Sequence, residues 1–474
     1  MGGLEIQVVK FSELIFEHNK LRLDAEFFKK ENIQLLSQIK KWKYKRISEI
    51  ASVTDGIHSS IDFCENSEIN LISAKSPKDN YFDLSGNAYI STKQHKENPK
   101  TALRLNDVII STVGTIGNTA VVQQEQLPAN SDRHVGIIRI KENIPAYYLS
   151  TFLNSKYGRF QSLRESTGNV QLSLFVYKIN EMLIPVFDDE FHESIQGQCE
   201  LAHQKLRQSK IVYEQAQNLL LEHLGLKDFN PPLQKVNIKS FSNSFGTSGR
   251  LDAEFYQEKY EGYLKKIQAF NNGFVQIQQE YSQVKSKSKF DLPAYQYIEI
   301  GDVNVSDGSY SFNEVATEDL PANAKIMVKE GDILISTVRP NRGAITVIEH
   351  DRDDLIVSGA FTVLRRKVKS YFNNEFLKVL LRTEIYKDWL LQFNVGTSYP
   401  VIKDEDILNL VIPNVEETIQ TQIADLIRQS NYLRIKSKGL LEKAKKAVEL
   451  AIEKDQESAL DFIKGKQTND CNVH

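Results

Sequence analysis

The sequence predicts an α+β protein that consists of two tandem mixed α/β domains and two long helices. The helices are expected to pair as an antiparallel coiled coil, which gives the chain pseudo-twofold symmetry. Three observations lead to this prediction. One six-residue motif occurs twice, β-branched runs recur in the same order, and each half ends in a long proline-free stretch. A chain of 474 residues also exceeds what one hydrophobic core normally holds.

An internal repeat is the first of these observations. Residues 22–27, RLDAEF, recur unchanged as residues 250–255, an offset of 228 (250 − 22). Residues 107–113, DVIISTV, match residues 332–338, DILISTV, at an offset of 225 (332 − 107). Self-similarity at a nearly fixed spacing indicates duplication of one structural unit. Two such units fill almost the whole chain.

The globular part of each half is predicted to contain strands that are joined by loops. Residues 107–113 and 332–338 are β-branched runs that follow turn residues, which is typical of strands. The stretches that come next, residues 114–118 and 339–343, are rich in Gly and Asn or in Pro, Asn and Arg, so both are predicted loops.

The end of each half has the spacing of a long helix. Residues 190–225 and 416–464 contain no proline, and their apolar or small residues recur in alternating steps of four and three. This heptad pattern predicts a coiled-coil seam. Two separate surface helices are the alternative; pairing is favoured because both stretches exceed the usual helix length of about 12 residues. The seam is predicted to include Ile195, Leu206, Tyr213, Leu220, Ile419, Ile423, Leu433 and Leu440.

Domain boundaries follow from these patterns. Residues 227–248 are rich in Pro, Asn, Ser and Gly, which is typical of a connector. The predicted segments are a first globular domain (1–187), a central helix (188–226), the connector (227–248), a second globular domain (249–415), a C-terminal helix (416–464) and a polar tail (465–474).

Composition excludes several classes of protein. No apolar run approaches the roughly 18 residues that a membrane span needs, and the first residues lack the features of a signal peptide. Cys64, Cys199 and Cys471 form no close pair, so a cytoplasmic location is expected. The net charge of -3 gives no global indication of nucleic-acid binding, although a basic surface can be offset by acidic residues elsewhere.

Catalytic motifs are missing from the sequence. Gly114 and Gly117 are not followed by Gly-Lys-Ser/Thr, no Gly-x-Ser-x-Gly occurs, and the nine histidines include no His-x-x-x-His pair. Residues 230–233, NPPL, lack the aromatic residue that an amino-methyltransferase places at the fourth position, so a turn is the better interpretation. A duplicated chain without catalytic or metal-binding motifs suggests a recognition module.

A module that reads DNA needs cations for phosphates, and amide or guanidinium groups for base edges. The first half offers Lys43, Lys45, Arg46, His58, Ser59, Lys75, Lys78, Lys93, Arg133 and His134. The second half offers Lys287, Lys289, Arg339, Asn341, Arg342 and Lys403. Charge runs are usually solvated faces, so each cluster alone is a weak indication.

Arg339, Asn341 and Arg342 are the most specific of these candidates. They stand where the first copy has the neutral loop 114–118. If the two units read different bases, matched loops with different residues are where reading should occur. The alternative is a turn with surface arginines. For His58 and His134 the alternative is a hydrogen-bonded turn residue.

Taken together, these features resemble the specificity (S) subunit of type I restriction–modification systems and its relatives in some type II systems. The resemblance covers both repeats. It is carried by residues 22–28 and 250–256, the Asp-Gly-Ile-His turn at 55–58, residues 297–302, and the paired strands 107–113 and 332–338.

The resemblance implies that each globular part is a target recognition domain for one half of a bipartite DNA sequence. The long helices would set the gap between the halves and dock two methyltransferase subunits. S-adenosylmethionine would be bound by those partners, and a restriction or translocase subunit would complete the complex. This chain would select the sequence without being an enzyme. A duplicated protein-interaction scaffold that does not read DNA is the alternative function.

Overall fold

The computed structural model describes residues 27–168, 171–231, 234, 236–285, 290–396 and 398–465. The chain divides into two units: the first contains Met1–Arg207 and Leu433–His474, and the second contains Gln208–Tyr432. Helices and strands alternate throughout both units, so the predicted mixed α and β fold class is confirmed. Each unit includes one half of each long helix.

The first unit contains three small sheets. Their strand orders are β2-β8-β5-β6, β4-β3-β7 and β1-β9. The strands are β1 (Tyr44–Arg46), β2 (Ala51–Asp55), β3 (Ile69–Ile72), β4 (Ala88–Ile90), β5 (Val108–Ser111), β6 (Thr119–Val121), β7 (Ala129–Ser131), β8 (Val135–Ile140) and β9 (Leu183–Pro185).

The second unit repeats this arrangement with one additional strand in its middle sheet. Its strand orders are β11-β18-β15-β16, β13-β12-β17-β14 and β10-β19. The strands are β10 (Phe274–Gln276), β11 (Tyr281–Gln283), β12 (Ala294–Ile298), β13 (Asn313–Ala316), β14 (Ala324–Met327), β15 (Ile333–Ser336), β16 (Ile345–Val347), β17 (Leu355–Ser358), β18 (Phe361–Arg366) and β19 (Val411–Pro413).

Fifteen α-helices occur within the described residues. They are α1 (Lys30–Lys40), α2 (Ile47–Ile50), α3 (Thr92–Glu97), α4 (Ala146–Asn154), α5 (Lys156–Glu165), α6 (Val176–Ile179), α7 (Asp189–His223), α8 (Phe245–Ser248), α9 (Glu258–Gln268), α10 (Ile277–Glu280), α11 (Asn374–Leu381), α12 (Glu384–Leu390), α13 (Asp404–Leu408), α14 (Glu417–Glu453) and α15 (Gln456–Lys464).

The four-stranded sheets β2-β8-β5-β6 and β11-β18-β15-β16 explain the repeated DVIIST and DILIST sequences. All four residues of β5 and of β15 are buried, which is why both strands are continuous apolar runs. The aspartate that precedes each run is also buried. Asp107 accepts hydrogen bonds from Nε and Nη2 of Arg139 on β8 at 2.9 and 2.7 Å. Asp332 accepts the same two bonds from Arg365 on β18, both at 2.7 Å. The repeated aspartate therefore joins the two central strands.

Helices α7 and α14 run antiparallel within the second unit. Ser209 and Ser430 are buried, and each hydroxyl donates to the other residue's carbonyl oxygen at 2.8 Å. Further along, His223 Nε2 lies 2.8 Å from Glu416 Oε2. Sequence numbers increase along α7 while those of its contacts decrease, so the two helices have opposite directions here.

The C-terminal helix differs from the prediction. The sequence predicts one helix over residues 416–464, but the structure has α14 and then α15 with a break between them. The Asp455 carboxylate accepts a hydrogen bond from the backbone N–H of Ser458 at 2.7 Å, and this N-cap starts a new helix. The predicted polar tail lies outside the described residues beyond Gly465.

Candidate nucleic-acid interface

Within each unit, loops lie close to one another at one end of a four-stranded sheet, which is β2-β8-β5-β6 in the first unit and β11-β18-β15-β16 in the second. In the first unit β2 and β5 end beside the start of β8, because Asp55 pairs with Gly136 and Ser111 pairs with Val135. In the second unit β15 ends beside the start of β18, because Ser336 pairs with Phe361. We define the first loop edge as the described residues of 56–60, 112–118, 132–134 and 167–173. The second loop edge is the described residues of 337–343, 359–360 and 394–401.

Backbone contacts hold the first loop edge together. The Ile57 N–H donates to Ser131 O at 2.8 Å, which places the turn at 55–58 against the loop that precedes β8. The Thr112 N–H donates to His134 O at 3.0 Å, and Val113 forms a bridge with Ser173. Three separate parts of the sequence therefore meet at one end of the sheet.

Most predicted residues of the first half lie at or beside this edge. His58 and Ser59 are exposed in the first turn, and Arg133 is exposed next to the half-buried His134. His58 Nε2 lies 2.6 Å from Asp55 Oδ2, as the turn interpretation requires. Lys75 is exposed and follows Ala74, whose carbonyl oxygen accepts from Thr115 Oγ1 at 3.0 Å.

Lys93 and Lys78 occupy neighbouring segments. Lys93 is exposed on α3, where the side chain of Gln94 donates to Ser60 O at 2.7 Å. Lys78 is half-buried in a turn, in which the N–H of Asn80 donates to Thr119 O at 2.9 Å. The helix with Lys93 and the turn with Lys78 are thus attached to the end of the sheet that carries the first loop edge.

Lys43, Lys45 and Arg46 lie elsewhere. Lys45 forms an ion pair with Glu142, and Arg46 forms one with Glu181. Glu142 follows the end of β8, which is opposite to the first loop edge. The structure therefore separates this basic run from the other predicted residues of the first half, and two of its cations already have acidic partners.

The second loop edge contains Arg339, Asn341 and Arg342, and Lys403 follows its last residues. All four residues are exposed. The Thr337 N–H donates to Ala360 O at 2.9 Å, and the Arg339 N–H donates to Pro400 O at 2.7 Å. The loop 337–343 is therefore held between the start of β18 and the hairpin 394–401. Lys287 and Lys289 lie outside the described residues.

Arg339 has an unusual backbone conformation. Its φ angle is 50°, in the left-handed region that costs a non-glycine residue about 1 kcal/mol. The matching residue of the first unit is Gly114 (339 − 114 = 225), with a φ of 74°. The two loops thus share a backbone shape, but the second carries an arginine where glycine would be unstrained. Such outliers are often found at functional sites.

The Arg339 guanidinium is available for a ligand. Its carbon lies 5.4 Å from the ring centroid of Tyr399, and Tyr399 is 47% exposed. Among the residues that the structure describes, the guanidinium has neither a hydrogen bond nor an ion pair. It can therefore donate its planar set of N–H groups to an acceptor outside the chain.

Comparisons with known proteins give related results. No protein-family model matches the chain. Over 146 residues, 29% of this chain and 31% of the relative, it is 31% identical to the type I restriction enzyme HindI specificity subunit of Haemophilus influenzae. Over 287 residues, 52% of this chain and 66% of the relative, it is 24% identical to the MjaVIII specificity subunit of Methanocaldococcus jannaschii.

This chain is similar in sequence to specificity subunits of type I restriction enzymes. The resemblance that the sequence predicts is confirmed by these two proteins, although each alignment spans less than two thirds of the curated relative. A crystal structure of the type I restriction–modification S subunit from M. genitalium also aligns. It is 10% identical, with a TM-score of 0.40 over 89% of this chain and 96% of that chain.

The predicted seam residues of the two long helices differ in burial. Ile195, Tyr213, Leu220 and Ile423 are buried, whereas Leu206, Ile419, Leu433 and Leu440 are half-buried. In the first unit the buried positions of α14 also include Leu441 and Val448, which the heptad count omits. Packing against the globular part adds a second buried face to the helix.

The hairpin 394–401 contacts the Arg339 loop, and the sequence analysis did not include it among the candidates. One signal was present, because Gly396 matches Gly168 of the first copy (396 − 168 = 228). A Cβ atom on Gly396 would lie 2.1 Å from Tyr399 O, and one on Gly168 would lie 2.2 Å from Gln171 O. Each glycine therefore lies where its chain turns tightly. The two turns occupy matching positions, one in each loop edge.

Within the described residues, no helix is long and apolar enough to cross a membrane. The same part of the chain has no group of three or more His, Cys, Asp or Glu residues that could hold a metal ion.

Proposed function

We propose that this chain is a non-catalytic DNA sequence-specificity subunit in which each loop edge reads one half of a bipartite target. One observation carries the proposal: the two units present different residues on the same scaffold. The first loop has the neutral residues 114–118, whereas the second has Arg339, Asn341 and Arg342. A duplicated reader with different loops is what two unlike half-sites require.

The chemistry of the second loop edge suits the edges of base pairs. Arginine donates two hydrogen bonds to O6 and N7 of guanine, and asparagine pairs with N6 and N7 of adenine. Arg339, Asn341 and Arg342 offer both kinds of group from one exposed loop. Lys403 next to the loop, and Lys75 and Arg133 at the first edge, would contact phosphates or bases.

The long helices are proposed as the docking sites for partner proteins. By analogy with specificity subunits, the partners would be two methyltransferase subunits and a restriction or translocase subunit. The methyltransferase would bind S-adenosylmethionine, and this chain would bind no cofactor. Exposed apolar side chains on both helices support this proposal, such as Ile211 on α7, 53% exposed, and Ile435 on α14, 60% exposed.

Selection from a randomised duplex library tests the proposed function. The full-length chain, alone and with a co-purifying methyltransferase, should enrich two fixed half-sites that are separated by a gap of constant length. Affinity should fall steeply between 50 and 200 mM salt, roughly tenfold or more, because phosphate contacts release counterions. If partners bind but no sequence is enriched at any salt concentration, the scaffold alternative is correct.

A further inference from the structure

The hairpin 394–401 is built to keep one shape. Its ends are joined by a hydrogen bond from Val395 N–H to Val401 O at 2.9 Å. The Asn394 side chain closes it from within, since Oδ1 accepts from the N–H groups of Gly396 and Val401 at 2.8 and 3.0 Å. These three hydrogen bonds hold the two ends of the hairpin together, so its described residues form a platform.

The platform faces the Arg339 loop. Pro400 O accepts the Arg339 N–H at 2.7 Å, and the Ile402 N–H donates to Thr337 O at 3.0 Å. Between these bonds the ring of Tyr399 lies against the guanidinium at 5.4 Å. An aromatic face attracts a cation and limits the directions in which its long side chain points. The guanidinium then loses less conformational freedom when it binds.

The second copy of the RLDAEF motif, residues 250–255, is hydrogen-bonded to this platform. Arg250 Nη2 donates to Asn394 O at 2.9 Å, where the hairpin begins. Arg250 is itself fixed, because its Nε donates to Asp252 Oδ1 at 2.7 Å and its guanidinium lies 4.7 Å from the Phe255 ring. The hydrogen bond to Asp252 raises the pKa of Arg250, so it remains charged.

The last residue of the repeated motif is held in a similar way in both units. Phe27, the last residue of the first RLDAEF copy, accepts a hydrogen bond on its carbonyl oxygen from Arg164 Nε at 3.0 Å. In the second unit Phe255 O accepts from Gln392 Nε2 at 3.1 Å, and Gln392 matches Arg164 (392 − 164 = 228). The rest of the first copy, residues 22–26, lies outside the described residues.

We propose that Tyr399 is a positioning residue that directs the Arg339 guanidinium toward a base, and that Arg250 holds the Tyr399 hairpin through Asn394. The inference rests on the proposed function, and it gives the repeated motif a role in recognition beyond folding. Its ligand is a base-pair edge in duplex DNA that presents two acceptors.

Four variants of the full-length chain test the inference by selection from the randomised duplex library. Arg339→Ala should lose about five- to hundredfold discrimination at one base pair of one half-site. Tyr399→Ala should reduce discrimination at that same base pair by about two- to fivefold. Tyr399→Phe should retain the discrimination, because phenylalanine keeps the aromatic ring. Arg250→Lys should behave like Tyr399→Ala, because lysine lacks the fork that reaches both Asp252 and Asn394.

The control is Tyr371→Ala, which removes a comparably exposed tyrosine (43%) beyond the other end of β18. It should leave both half-sites unchanged. Loss of discrimination in Tyr399→Ala that is spread over all positions and accompanied by a lower melting temperature would assign Tyr399 to stability alone. Unchanged discrimination in Tyr399→Ala would also overturn the inference. If the unmodified chain with its methyltransferase enriches no sequence, the proposed function fails; if it does and only the Tyr399 effects are missing, the positioning role fails alone.

Discussion

Arg339 and Gly114 show at the residue scale how the same loop backbone carries different side chains in the two units. Both residues have a positive φ at the start of matching loops, 339–343 and 114–118. Glycine takes it without strain, whereas an arginine there is strained by its Cβ atom. The second unit retains this backbone strain at Arg339. The side chain of Arg339 is exposed and forms no hydrogen bond with the described residues. This combination indicates a functional residue more strongly than charge does.

Substitution of Arg339 should separate strain from recognition. Arg339→Gly is expected to be about 1 kcal/mol more stable to unfolding than Arg339→Ala, because only alanine keeps the strained Cβ atom. Both variants should lose the same base preference. Urea unfolding and library selection measure the two effects. Equal stabilities would show that the loop relaxes out of the left-handed conformation when the guanidinium is removed.

Asp332 should be important for stability and not for sequence choice. Its buried carboxylate accepts two hydrogen bonds from Arg365 and one from the Lys329 N–H at 2.9 Å, and Asp332→Ala removes all three. The expected loss is about 1–3 kcal/mol of unfolding free energy. The exposed Asp353→Ala is the matched control. A changed half-site at unchanged stability would contradict the structural role assigned to this aspartate.

Single residues could be selected as candidates from the sequence where the two copies differ. Arg339, Asn341 and Arg342 were selected in this way, and the structure places all three in one exposed loop. Lys45 and Arg46 were selected from a charge run, and their acidic partners are 97 and 135 residues away. Whether a cation is already paired depends on long-range packing, which a charge run in the sequence does not reveal.

At the element scale, one tight hairpin forms part of each loop edge. Gly396→Ala should distort the second hairpin, because the new Cβ atom would overlap Tyr399 O, and it should weaken discrimination in one half-site. Gly168→Ala should affect the other half-site for the same reason. Gly197→Ala is the control, since a Cβ atom there meets nothing within 4 Å. The prediction is checked by selecting sequences with each variant. An effect of both hairpin variants on one half-site would contradict it.

Elements were predictable to the extent that local pattern determines them. The β-branched runs gave the buried strands β5 and β15, and the heptads gave α7 and most of α14. The break before α15 was missed because a capping carboxylate, Asp455, overrides the apolar spacing. The hairpin 394–401 was missed because its shape depends on side-chain closure by Asn394 and on contacts with a loop about 60 residues away.

At the scale of the whole molecule, the sequence repeat corresponds to a repeated strand order in the two units. The strand orders β2-β8-β5-β6 and β11-β18-β15-β16 correspond position by position. Duplication was evident from the sequence, but these orders were not, since each places strands side by side that are distant along the chain. The orders create the loop edges.

Independent reading by two units is the central claim, and an exchange of one unit tests it most directly. Residues 249–415 would be replaced by the matching segment of a relative with a different target, and both proteins would be selected against the randomised duplex library. The account predicts that one half-site changes while the other half-site and the gap remain the same. A change in both half-sites, or in neither, would contradict it.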